Sequence, residues 1–111
     1  MAVYPSTQPI SPSLGVATYR RNQVTYASPQ ELLLKLYDIA IGACRRRDGD
    51  QARGAVVELV DSLNFEYAEV AAGLLRLYNY CLELIGGGQF DDAERILAEL
   101  RATWAKALIS G

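Results

Sequence analysis

The side chains along this 111-residue chain with the strongest chemical potential are Cys44 and Cys81, an acidic cluster at Asp91, Asp92 and Glu94, and an arginine run at Arg45, Arg46 and Arg47, with no histidine at any position. Without imidazole the commonest general base at neutral pH and the commonest metal ligand are both missing, so triad catalysis of the usual kind is excluded. The cysteines lack CxxC spacing, which removes the zinc, iron–sulfur and dithiol patterns. Both fall within apolar helical stretches and read as buried thiols. The carboxylates at 91, 92 and 94 open a helical segment, where they complement the macrodipole and the cap; the arginines close one, where cations do the same. Gly86 to Gly88 follows no strand and reads as a helix stop, not a phosphate loop. The expectation is therefore no catalytic residues, no cofactor and no metal: a protein that works by binding and not as an enzyme.

Charge and hydropathy narrow the kind of binding. Half of the residues are apolar, 22% are charged, and the formal net charge is -2. A general nucleic-acid binder needs a clustered basic excess to neutralise phosphates, so nucleic acid is not expected as a partner. The apolar runs are interrupted by Lys35, Asp38, Arg76 and Glu83, well short of a membrane span. The start, "MAVYPSTQPISPS", has neither the basic beginning nor the apolar stretch of a secretory signal, and a cytoplasmic location is expected.

The elements that must position these groups are helical. Pro5, Pro9 and Pro12 stand among Ser, Thr and Gln, a composition that buries too little apolar surface to offset its ordering entropy, and a mobile tail is expected over 1–17. The rest, 18–111, is of a size for one domain. Ser28-Pro29-Gln30-Glu31 offers an N-cap serine, proline at the first helical position and glutamate at the third, which predicts a capping box. Apolar residues then recur at three- and four-residue spacing in four segments, predicting helices near 28–47, 50–64, 67–85 and 91–109, the second capped by Asp50 and the fourth by a box of Asp91 and Glu94. Similar lengths and short connections predict an all-α fold: an antiparallel up-down four-helix bundle with a flexible N-terminal segment. The first and third helices carry apolar residues on more than one stripe. Periodicity leaves open whether that surplus is extra core or a binding groove.

Three stretches also resemble the signatures of the flagellar export chaperones that hold flagellin before secretion, the FliS family. In "YRRNQVTYASPQELLLKLYD", Tyr19, Asn22, Val24, Ala27, Ser28, Pro29, Leu32, Leu36, Tyr37 and Asp38 fall in register with the first block. "LNFEYAEVAAGLLRLYNY" is similar to the third-helix block through Leu63, Asn64, Glu66, Ala71, Leu74, Leu77, Tyr78 and Tyr80; "LRATW" is similar to the last through Leu100, Arg101 and Trp104. The blocks keep their order from Tyr19 to Trp104. Tyr26 and Ile39 depart from the pattern, standing where threonine and glycine are usual.

The resemblance implies a chaperone that binds the disordered C-terminal region of flagellin, prevents premature filament polymerisation and keeps the client competent for type III export, with the flagellar export gate as a further partner. It implies a monomer or weak homodimer when free. The client-binding residues expected on this basis are Tyr19, Asn22 and Val24 before the first helix, Leu33 and Tyr37 on it, and Leu74, Tyr78 and Cys81 on the third. Core positions are an equal reading for Tyr37, Leu74 and Cys81. The alternative function is a helical adaptor or homodimeric interaction protein that does not bind flagellin.

Overall fold

The computed structural model describes residues 28–110. The tail expected over 1–17 and the lead-in with Tyr19, Asn22 and Val24 lie outside the described residues. Within them the chain is all-helical: α1 (Pro29–Arg45), α2 (Gly49–Asp61), a 3-10 turn (Phe65–Tyr67), α3 (Ala68–Gly86) and α4 (Phe90–Ser110). No described helix is long and apolar enough to cross a membrane.

Each helix boundary has a local cause. At α1, Ser28 Oγ accepts from the Glu31 N–H at 3.1 Å while the Ser28 N–H donates to Glu31 Oε1 at 3.2 Å, so the capping box is complete. At the far end Arg47 takes φ 58°, and the N–H groups of Arg47 and Asp48 reach back to the carbonyls of Cys44 and Ala43 at 3.0 and 2.8 Å. This is a Schellman turn with a non-glycine residue in the left-handed position, a conformation that costs about 1 kcal/mol. The Arg47 guanidinium lies over the Phe90 ring, 5.8 Å from its centroid, and 3.4 Å from Asp91, contacts that offset part of that cost.

The tight turn moves the second cap. Asp48, not Asp50, accepts from the Gln51 N–H, and Asp50 falls inside the first turn of α2. The second helix also stops earlier than its apolar stripe predicts. Ser62 Oγ donates to the Leu59 carbonyl and Asn64 Oδ1 accepts from the Glu66 N–H, so side chains take over backbone partners and the helix gives way to a 3-10 turn. A second Schellman turn ends α3. Gly88 has φ 77°, with the Gly88 and Gln89 N–H groups on the Ile85 and Leu84 carbonyls. The fourth helix consequently starts at Phe90, one residue before the expected cap. Asp91 lies in its first turn, and Glu94 meets Arg45 Nε at 2.6 Å instead of folding back on the cap.

α1 packs against α2 and α4, and α3 completes the ring by packing on α2 and α4 less closely. Small residues at Ala40, Ala43, Ala52, Ala55 and Ala93, all fully buried, let α1 sit close to its neighbours. Larger side chains fill the space between: Leu36, Tyr37, Cys44, Val56, Leu59, Tyr78, Cys81, Leu84, Ile85 and Leu97. This core lies toward the end where the two Schellman turns meet. Away from them, around Leu33, the α2–α3 link and Trp104, the apolar side chains are only partly covered.

Candidate binding groove and its buried hydroxyl network

Incomplete cover at that end leaves a groove. Leu33 from α1, Leu63 and Asn64 from the α2–α3 link, Tyr67, Val70, Leu74 and Tyr78 from the turn and α3, and Trp104 from α4 enclose a cavity of about 310 Å³. A second cavity of about 280 Å³, lined by Pro29, Leu32, Leu33, Leu36 and Ser62, abuts it through Leu33 and Ser62, so the apolar trough runs on along α1. Its rim is unusually apolar for a free surface. Tyr67 is 67% exposed and Val70 60%, with Phe65 beside them at 57%.

Beneath the groove lies a polar network. Trp104 Nε1 donates to Tyr37 Oη at 3.1 Å, and the Tyr37 and Tyr78 hydroxyl oxygens are 2.6 Å apart, with their rings tilted at 53° and centroids 6.4 Å apart. Indole is only a donor, so Tyr37 accepts from Trp104 and is free to donate to Tyr78. Two hydroxyls sharing one contact leave one O–H proton of the pair without an acceptor among the described residues. Burial is the main reason both phenols are raised well above their ordinary range; for Tyr37 the Tyr78 hydrogen bond adds to it. Burial also pushes the Cys81 thiol up to about 11, with nearby Cys44 adding to the shift, and raises Cys44, where Glu94 contributes. Near neutral pH all four groups are protonated. As nucleophiles or ligands they are both shielded and in the wrong protonation state.

The expected client-binding residues divide by position. Leu33 and Leu74 are half-buried and line the groove. Tyr78 lines it too, but is 1% exposed, and so forms floor more than contact surface. Tyr37 and Cys81 are fully buried in the core and offer a partner no surface in this conformation, which is the core alternative left open for both. Tyr19, Asn22 and Val24 lie outside the described residues. The rim residues Tyr67 and Val70, the wall residue Trp104 and the neighbouring Phe65 were not among the expected contacts. A signal existed for Val70: it belongs to the surplus apolar stripe of α3, which the structure leaves exposed at Val70, Leu77 and Tyr80.

A line of contacts ties the elements around this site. Asp38, next to Tyr37, holds Arg101 through a two-pronged pair, Nε to Oδ1 at 2.6 Å and a terminal nitrogen to Oδ2 at 3.3 Å. Consecutive residues of α1 thus engage Trp104 and Arg101, one turn apart on α4. Among the described residues no group of three or more His, Cys, Asp or Glu side chains is placed to hold a metal ion. What the arrangement can do is bury apolar surface of another chain. Comparison of the chain with family models, with curated proteins and with solved structures gave no match.

Proposed function

We propose that this protein is a non-enzymatic, cytoplasmic export chaperone that binds the C-terminal segment of flagellin in the groove between Leu33, Leu63, Val70, Leu74 and Trp104. The observation that carries the reading is that open apolar groove with its exposed rim at Tyr67 and Val70. A segment disordered on its own can fold there as a helix, its ordering entropy offset by apolar burial at about 25 cal/mol per Å². The three blocks that resemble the flagellin chaperones add support: Tyr37 and Asp38 of the first, Tyr78 of the second, and Arg101 and Trp104 of the third join one contact network.

The same reading takes the helices as an antiparallel up-down bundle. Asp38 pairs with Arg101 and Arg45 with Glu94, so partners on α4 descend as residues on α1 ascend, as antiparallel neighbours do. The short connections at 46–48 and 87–89 fit the same arrangement.

Isothermal titration with flagellin, and with flagellin lacking its C-terminal segment, tests the function. One-to-one binding with a large negative heat-capacity change, abolished by the truncation, is the expected result. A second reading, a homodimeric helical adaptor, is favoured by Leu77 and Tyr80, which are 39% and 50% exposed outside the groove. A dimer that forms with rising concentration and ignores flagellin would establish it in place of the chaperone.

A further inference from the structure

The groove differs from the rest of the molecule in charge. From Gly54 to Leu75 the chain has Glu58, Asp61, Glu66 and Glu69 and no lysine or arginine. Of these, Asp61, Glu66 and Glu69 are exposed and directly flank in sequence the lining residues Ser62, Tyr67 and Val70. The ion pairs Arg45–Glu94, Arg47–Asp91, Arg95–Asp92 and Arg101–Asp38 all lie on α1, α4 and the loop between α1 and α2. Among the described residues Asp61, Glu66 and Glu69 form no ion pair, and they outnumber the one cation, Lys35, that directly flanks a residue lining the trough. We infer that the groove takes a cationic amphipathic helix, whose apolar face lies between Leu33, Leu74 and Trp104 and whose lysines or arginines face Asp61, Glu66 and Glu69.

Two features point to that occupant. The trough extends from Leu32 and Leu36 past Leu33 to Leu74, which suits apolar anchors recurring on successive turns of a helix. Exposed carboxylates next to the lining residues attract a basic partner, speed its encounter, and repel an acidic helix of equal hydrophobicity, so they supply selectivity that an apolar groove lacks. The inference shares the groove with the chaperone reading and does not depend on the identity of the client.

The test uses the full chain and two synthetic eighteen-residue helical peptides with the same leucine face, one with lysines and one with glutamates on the opposite face. Trp104 is the sole tryptophan and lines the groove, so its emission reports occupancy directly. The lysine peptide is expected to bind one-to-one and shift that emission, with the glutamate peptide at least about thirtyfold weaker. Combined Asp61→Asn, Glu66→Gln and Glu69→Gln should weaken the lysine peptide about tenfold at low salt, while Asp50→Asn, Glu83→Gln and Glu99→Gln, which remove the same charge outside the groove, should change it less than about twofold. Equal losses in the two sets, equal affinity for the two peptides, or binding without a change at Trp104 would overturn the inference. Titration with the flagellin C-terminal segment separates the two proposals. Lysine-peptide binding without flagellin binding supports the groove chemistry and removes the client; flagellin binding with no difference between the peptides does the reverse.

Discussion

The hydroxyl oxygens of Tyr37 and Tyr78 lie 2.6 Å apart in the interior, and only Tyr37 also receives the indole N–H of Trp104. The two tyrosines are therefore not equivalent, although both are almost wholly buried. Removing the Tyr37 hydroxyl deprives Trp104 of its acceptor and Tyr78 of its partner; removing the Tyr78 hydroxyl breaks one contact in a pair that already has a proton to spare. At about 1 kcal/mol per net hydrogen bond, with a surcharge for each group left unpaired, Tyr37→Phe is expected to cost about 2–3 kcal/mol and Tyr78→Phe about 1 kcal/mol or less. Urea unfolding of the single and double variants measures both. The double variant should cost less than the sum, since the shared bond is lost once.

Alkaline pH should destabilise the fold. Each raised group is neutral in the folded state and ionises more readily once unfolded, so its contribution is complete below the unfolded pKa and disappears as pH climbs through the folded one. Cys81 moves from 9.0 to about 11, which makes the window pH 9 to 11 and the loss at pH 11 roughly 2 kcal/mol. The phenols of Tyr37 and Tyr78 add to the slope above pH 10, because burial raises both from 10.0. Unfolding free energies measured from pH 7 to 11 check this. A flat profile over pH 9–11 would contradict it, and Cys81→Ala should flatten the lower part of the slope.

The same burial predicts silent thiols. Cys44 is 1% and Cys81 0% exposed. An aromatic disulfide reagent at pH 7.5 should label neither in the folded protein, and the labelling rate should follow the opening of the bundle as urea is raised. Fast labelling of one cysteine without denaturant would mean that part of the core opens locally.

Much of this architecture was legible in the residues. Ser28 and Glu31 announced their capping box, and the helical stripes placed Leu36, Val56 and Leu97 in the interior, because a cap and a 3.6-residue period are local properties. Turn geometry was less visible. Arg47 adopts a left-handed φ that sequence reserves for glycine, and that single residue moves the cap of α2 from Asp50 to Asp48. The site was harder still to read. An apolar position on α3 says nothing of what covers it, so Val70 and Cys81 look alike on a helical wheel, yet one is 60% exposed and the other fully buried. Nor do Tyr37 and Trp104 advertise their contact, since it spans 67 positions of sequence and exists only once α1 and α4 are side by side.

Two glycines of the run that closes α3 give opposing predictions from one turn. Gly86 is helical, and a Cβ there meets nothing within 4 Å, so Gly86→Ala removes unfolded-state freedom at no steric cost and should stabilise the protein by about 0.5–1 kcal/mol. Gly88 is equally unobstructed, but its φ of 77° is the left-handed position of the Schellman turn. A side chain there strains the backbone itself, and Gly88→Ala should cost about 1 kcal/mol. For a domain of this size each change shifts the melting temperature by about 4–8 °C per kcal/mol, in opposite directions, which calorimetry resolves. Equal shifts of the same sign would show that the helix stop is set by packing against α4 and not by the backbone conformation at Gly88.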